Sequence, residues 1–307
     1  MRYVRHLAGA SLGARLVAVC RRNAAQGRAF ASEHGVKFFR DYEDLIADPQ
    51  VEAVAVVTPP SLCLPICLAA VKAGKPLLIE KPLACTGADA RAMVRAAEAA
   101  GVPLMTAHTL RFDRAVLSLK ARLASAGPRR YLVLTNRVGP RSEVLDDPND
   151  YGGRGVLLEI GIHLLDLVRF LTGEEVGEVR CELERPSPDA AELRALASLR
   201  TAGGLPCIVD VSRVTSGRTS RAEWIGADGQ LAADWVHHRV RRVSAGNVVS
   251  EEAVEDVPTV EAVLRAFCDA LARGAPMPIT GVDGLRAVEI ADACYRSAET
   301  GKPVRLG

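Results

Sequence analysis

A chain of 307 residues exceeds what one ordinary core supports, so two domains are expected. At 49% hydrophobic and 25% charged residues it is globular, which excludes wholesale disorder. Thirty-nine basic against 37 acidic side chains leave +2, without the basic excess of a nucleic-acid binder.

The first third alternates short apolar runs with helical stretches. Leu16 to Cys20 reads as a strand, Ala24 to His34 as a helix and Lys37 to Phe39 as a short extended piece. Tyr42 to Ala47 is helical, Ala53 to Thr58 a strong strand and Pro65 to Ala73 a helix. Pro76 to Ile79 is a strand, Gly87 to Ala100 a helix and Leu104 to Ala107 another strand. Strands that are apolar on both faces, with helices between them, imply a parallel sheet covered on both sides. The predicted class is α/β: a doubly wound nucleotide-type domain over residues 1–113.

The pattern then changes. Val116 to Ser125 looks helical and Arg130 to Val138 strand-like, followed by a polar loop from Gly139 to Gly155 and a helix from Leu157 to Leu171. From Val179 to Val254 strands succeed one another with turn signals at 201–204, 216–217 and 227–230, which predicts a mostly antiparallel open sheet. Helices at Thr259 to Arg273 and Val282 to Glu299 close an α+β domain over 114–307.

No run reaches the roughly 18 apolar residues of a membrane span, because His163, Asp166 and Arg169 break the longest candidate. The opening MRYVRHLAGASLGARLVAV faintly imitates a secretory signal, but Arg15 interrupts it and a strand-like LVAVC follows. Eight scattered cysteines in apolar segments predict reduced thiols and a cytoplasmic protein. Cys63 and Cys67 sit one helical turn apart without a further Cys or His cluster, so they read as buried small hydrophobes and no metal is expected.

Two places carry chemistry. Lysine is scarce, six residues in all, and one of them, Lys81, follows the apolar strand that ends at Glu80. The carboxyl edge of a parallel sheet is where ligands bind. Pro82 restricts Lys81 to extended geometry, and the ammonium group can stabilise negative charge on a substrate oxygen; the competing reading is a surface lysine. On the helix Leu157 to Leu171, Glu159, His163 and Asp166 fall at i, i+4 and i+7, hence on one face. Three ionisable groups on a helix otherwise fit for burial must pair or line a cleft. His163 suits general acid/base work. Asp166 either orients the His163 ring or caps neighbouring polar groups.

LLIEKPLA at 77–84 and LLEIGIHLLD at 157–166, with VTPPSL, LRFD at 110–113 and DGLRAVEIADACYRSAETGKPV near the end, resemble the Gfo/Idh/MocA oxidoreductase family over almost the whole length. The resemblance implies a Rossmann domain followed by a substrate-binding and oligomerisation domain. It implies a nicotinamide cofactor and a small-molecule substrate, a sugar, polyol or related secondary alcohol or ketone. Nucleic acid and membrane are not expected partners; a homodimer or homotetramer is. It favours a cis Lys81–Pro82 bond and makes Lys81, His163 and Glu159 catalytic. It places Thr58, Pro59, Pro60, Glu80 and Lys81 at the cofactor, and Arg111, Glu159, His163 and Asp166 at the substrate. Whether Lys81 or His163 is the base stays open, as does Arg111 between cleft wall and salt bridge.

The sequence departs from the family pattern at several points. Glu159 stands where aspartate is usual, which moves the carboxylate by about 1.5 Å. Cys63 replaces a frequent histidine and Thr109 a frequent asparagine. Arg21 and Arg22 stand where a ribose-binding acid is expected; arginine suits a 2′-phosphate and so favours NADP over NAD. The first Rossmann strand and its G-x-G-x-x-G turn are not found before the helix-like RYVRHLAGA, as if about 12–18 residues were absent. That leaves Leu16–Cys20 and Ala53–Thr58 with facing, unpaired edges and predicts weakened NADPH binding. Either the functional protein starts further upstream, or the chain is a non-catalytic member with impaired cofactor binding that acts as a binding or regulatory protein.

Overall fold

A computed structural model of the chain describes residues 3, 6–7, 12–140 and 148–307. The described residues form two compact units. Unit 1 comprises residues up to Ala84, Ala88–Ala107 and Pro258–Leu285; unit 2 comprises Cys85–Gly87, His108–Val257 and Arg286–Gly307. Residues 258–285, which the sequence pattern groups with the second domain, thus belong with unit 1. The reason is packing: the helix α7 (Thr259–Arg273) meets β5 (Leu104–Ala107), and Met105 bridges to Thr280.

In unit 1, β1 (Ala18–Cys20) leads into α1 (Ala24–His34). Asn23 caps that helix by accepting the Gln26 N–H at 3.1 Å, and Gly35 ends it in the left-handed region. β2 (Lys37–Phe39) returns parallel to β1, with Val19 opposite Phe38. The Phe38 ring packs so closely on α1 that a Cβ at Gly27 would lie 2.1 Å from it. After α2 (Tyr42–Ala47) come β3 (Val54–Val56), α3 (Cys63–Lys72), β4 (Leu77–Glu80) and α4 (Gly87–Ala100). β3, β4 and β5 form a parallel sheet in that order, with Ala55 opposite Leu78 and Ile79 opposite Thr106. Leu77, Leu78 and Ile79 are fully buried, as the doubly covered sheet requires, each stabilising the unit by about 2 kcal/mol.

Among the described residues β1–β2 and β3–β4–β5 are separate, and a cavity of about 1850 Å³ is walled by every residue of both β1 and β3. The strand patterns of five and six residues yield paired segments of three.

Unit 2 is built on one sheet of nine strands. β6 (Arg129–Arg137) follows α5 (Arg114–Arg122), whose amino end is capped by Asp113 accepting from Ala115 and Val116. After α6 (Ile162–Thr172) come β7 (Val176–Glu184), β8 (Arg194–Thr201), β9 (Pro206–Ser212), β10 (Thr219–Gly226), β11 (Gln230–Asp234), β12 (Arg239–Ser244) and β13 (Asn247–Ala253). The last helix, α8 (Gly281–Thr300), precedes β14 (Val304–Arg305). The order β13-β12-β11-β10-β6-β9-β8-β7-β14 is antiparallel except where β6 runs parallel to β9. Alternation is strict in β8: Ala195, Ala197 and Leu199 point inward, while Leu196 lies on the open face with Ile208 and Tyr131. α6 packs against β6 and β9. The predicted α/β class, a parallel Rossmann-type sheet and then a mostly antiparallel one, is the class observed.

Candidate active site

In unit 1 the candidate residues gather at the carboxyl ends of strands. Arg21 and Arg22 are exposed just beyond β1 and line the cavity. Thr58 and Pro59 follow β3, also along the cavity, and Pro60 opens a short 3-10 turn into α3. Glu80 ends β4, and its Oε2 accepts the Lys81 N–H at 3.0 Å. The Lys81–Pro82 bond is cis, as the family resemblance implied. Cys63 and Cys67 are buried on α3, and burial pushes the Cys67 thiol up to about 12, the behaviour of packed apolar groups.

In unit 2 the sequence pattern predicts a regular helix from Leu157. The structure instead winds Leu157–Gly161 as a π turn before α6 begins at Ile162. Such turns insert an extra residue per turn and are frequent at functional sites. Period counting does not reveal them, because the apolar residues still alternate with the polar stripe. Glu159 lies in the π turn, and His163 and Asp166 follow on α6.

The stripe is paired by two arginines, of which Arg213 is not singled out by the sequence. Arg213, just past β9, grips Glu159 with both arms: Nε donates to Oε2 at 3.1 Å and Nη2 to Oε1 at 2.6 Å. A third contact, Nη1 to the Gly139 carbonyl at 3.3 Å, fixes the guanidinium. Asp166, 1% exposed, receives Arg111 Nε at 2.9 Å and Nη2 at 2.6 Å. The salt bridge left open for Arg111 is thus the arrangement found. Asp166 is a buried partner for Arg111. His108, 1% exposed at the end of β5, places Nδ1 3.8 Å from Asp166 Oδ2. Its ring meets that of His163 edge-on, with centroids 6.5 Å apart. His163 is half-buried.

His108 could have been found: it directly follows an apolar parallel strand, as Lys81 does. Arg213 had no such signal, since its partner lies 54 residues away. Glu159 is held by Arg213, and four positions on in the chain His163 stands edge-on to the His108 ring, a carboxylate and an imidazole of the kinds used in proton transfer. Among the described residues no group of three or more His, Cys, Asp or Glu is placed to hold a metal, and no helix is long and apolar enough to cross a membrane.

Residues 2–108 match the model of an oxidoreductase family with an NAD-binding Rossmann fold, and residues 132–232 match the GFO/IDH/MocA C-terminal domain. The chain is 34% identical to inositol 2-dehydrogenase 1 of Saccharopolyspora erythraea, over 99% of this chain and 92% of that one. It is 30% identical to myo-inositol 2-dehydrogenase of Thermotoga maritima over 88% of this chain and 84% of that one. Among solved structures, a probable dehydrogenase from Thermotoga maritima superposes with a TM-score of 0.84 at 26% identity, covering 99% of this chain and 95% of that one. The chain belongs to the Gfo/Idh/MocA family and is an oxidoreductase of the class that acts on CH–OH groups.

Proposed function

We propose that this oxidoreductase interconverts a secondary alcohol of a polyol or sugar and the corresponding ketone, using a nicotinamide cofactor with NADP preferred over NAD. The observation that carries the substrate class is the 34% identity over nearly the full chain to a protein named for inositol oxidation. NADP is favoured by Arg21 and Arg22, exposed at the carboxyl end of β1 where a 2′-phosphate would be bound.

The described residues fit two parts of such a cofactor. Thr58–Pro60 and Glu80–Lys81 stand at strand ends suited to the nicotinamide side, and Arg21 and Arg22 suit the adenosine side. A glycine-rich turn for the pyrophosphate is not among the described residues between β1 and β3. When bound, the nicotinamide supplies the hydride acceptor. His163 takes the substrate hydroxyl proton as the carbinol C–H bond breaks. Lys81 donates a hydrogen bond to the same oxygen and stabilises the charge that develops on it. Glu159, held by Arg213, accepts a neighbouring substrate hydroxyl. Asp166, on the same helix as His163, forms a buried ion pair with Arg111.

A second reading has its own observation. The separation of β1–β2 from β3–β4–β5 among the described residues favours a member that binds its metabolite without turnover. The deciding experiment incubates the protein with NADP⁺ or NAD⁺ and a panel of polyols and sugars, following absorbance of the reduced cofactor. Turnover with at least one polyol supports the enzyme reading, and binding without turnover supports the second. The apolar residues on the open sheet face, Tyr131, Leu196 and Ile208, support self-association into a dimer or tetramer. All eight cysteines are free thiols, which supports a cytoplasmic location.

A further inference from the structure

Glu192 lies in the connection between β7 and β8 and is 1% exposed. Its Oε2 accepts the Gly155 N–H at 2.9 Å and its Oε1 the Leu157 N–H at 3.0 Å. Its own backbone carbonyl accepts the Val156 N–H at 3.0 Å. Three consecutive amides therefore converge on one residue at the entry of the π turn. These are donors that a helix start leaves without partners of its own. Gly155 permits the approach, because a Cβ there would lie 2.2 Å from the Glu192 carbonyl oxygen.

The carboxylate is braced from behind. Tyr295 donates its hydroxyl to Oε1 at 2.8 Å, and Arg185 Nη1 stands 3.9 Å from Oε2. Burial first, and then the Glu192 charge, hold the Tyr295 phenol well above its ordinary range, so it remains a donor. The Arg154 guanidinium lies 4.5 Å from the Tyr295 ring centre and donates to the Asp292 carboxylate and to the Cys85 carbonyl. Asp292 in turn accepts the Gly87 N–H at 2.7 Å. One connected set thus runs from the entry of the Glu159–His163 helix to residues that follow Lys81 by only a few positions in the chain.

A carboxylate taken out of water costs stability that packed apolar groups would not. Its use here is geometric. Relaxing the π turn into an α turn would change the rotational phase between residues before and after it by up to about 100°, one residue of helical rotation. We propose that Glu192 is a positioning residue, which locks the entry of the π turn so that Glu159 and His163 keep the productive register, with Tyr295, Arg154 and Asp292 as its braces. The inference rests on the catalytic reading of that helix.

The test is Glu192→Gln, which keeps the shape but turns one acceptor into a donor facing an amide. Amide hydrogen exchange over 155–157 should rise at least about tenfold, and kcat on the best polyol should fall at least about thirtyfold while the cofactor KM stays within about twofold. Tyr295→Phe, which removes one brace, should show the same split at about fivefold. If Glu192→Gln does not fold, Tyr295→Phe decides alone: a lower kcat at unchanged cofactor KM supports the proposal, and an unchanged kcat overturns it. Faster exchange with wild-type kcat also overturns it, since Glu192 would then only stabilise the fold. No turnover in the wild type overturns the catalytic reading and this inference with it. An active wild type beside unchanged variants overturns the inference alone.

Discussion

The two units solve strand pairing differently. In unit 2 the ladder runs unbroken from β13 to β14, and β6 and β7 reach nine residues each. Among the described residues of unit 1 the parallel strands divide into a pair and a triplet, and the two strands that face the cavity have three residues each. Their sequences are no weaker as strands: LVAVC and AVAVVT are as apolar as the runs of unit 2. Pairing, more than propensity, sets strand length, because a backbone donor or acceptor without a ladder partner must find water instead. β1 is accordingly only half-buried along its whole length.

The comparison predicts a large difference in local stability. Amides of β1 and β3 should exchange at least about a thousandfold faster than those of β8 and β9, as hydrogen-exchange mass spectrometry would report. Equal protection in the two sheets would break it. The next effect lies in unit 2, where Arg111→Ala strands the buried Asp166 carboxylate and should cost about 3 kcal/mol in denaturant unfolding. A loss near zero would mean that His108 or water compensates.

Kinetics sharpen the contrast between a scaffold and a site. His163→Ala and Lys81→Ala should each lower kcat at least about a hundredfold with modest change in cofactor affinity. Near-normal turnover in either variant would remove that residue from the mechanism. Arg213→Ala, which releases Glu159 without touching the histidine, should lower kcat/KM for a polyol about tenfold, mainly through KM. A pure kcat effect would instead tie Glu159 to His163.

What the sequence announces and what it hides follow from range. Helices 24–34, 42–47, 87–100 and 259–273 match their predicted spans, because caps, glycine stops and apolar period are local signals. The turns at 201–204, 216–217 and 227–230 likewise separate successive strands. Lys81 and the Glu159–His163–Asp166 stripe stand out because charge on apolar elements is conspicuous in one dimension. Their partners do not. Arg213 and Glu192 reach the site helix from 54 and 35 residues away, and pairing across such distances leaves no local mark. The π turn is hidden for another reason: one additional residue in a single turn is too small a shift for a periodicity count to register. The grouping of 258–285 with unit 1 depends on packing against β5 and is invisible for the same reason as the distant pairs.

The most direct measurement of the central claim is a double-variant cycle on Lys81 and His163, reading kcat/KM on the best polyol. If both groups act on the same reacting oxygen, the double variant turns over about as slowly as the slower single one. Losses that multiply would show that the lysine and the histidine work independently, contrary to this account.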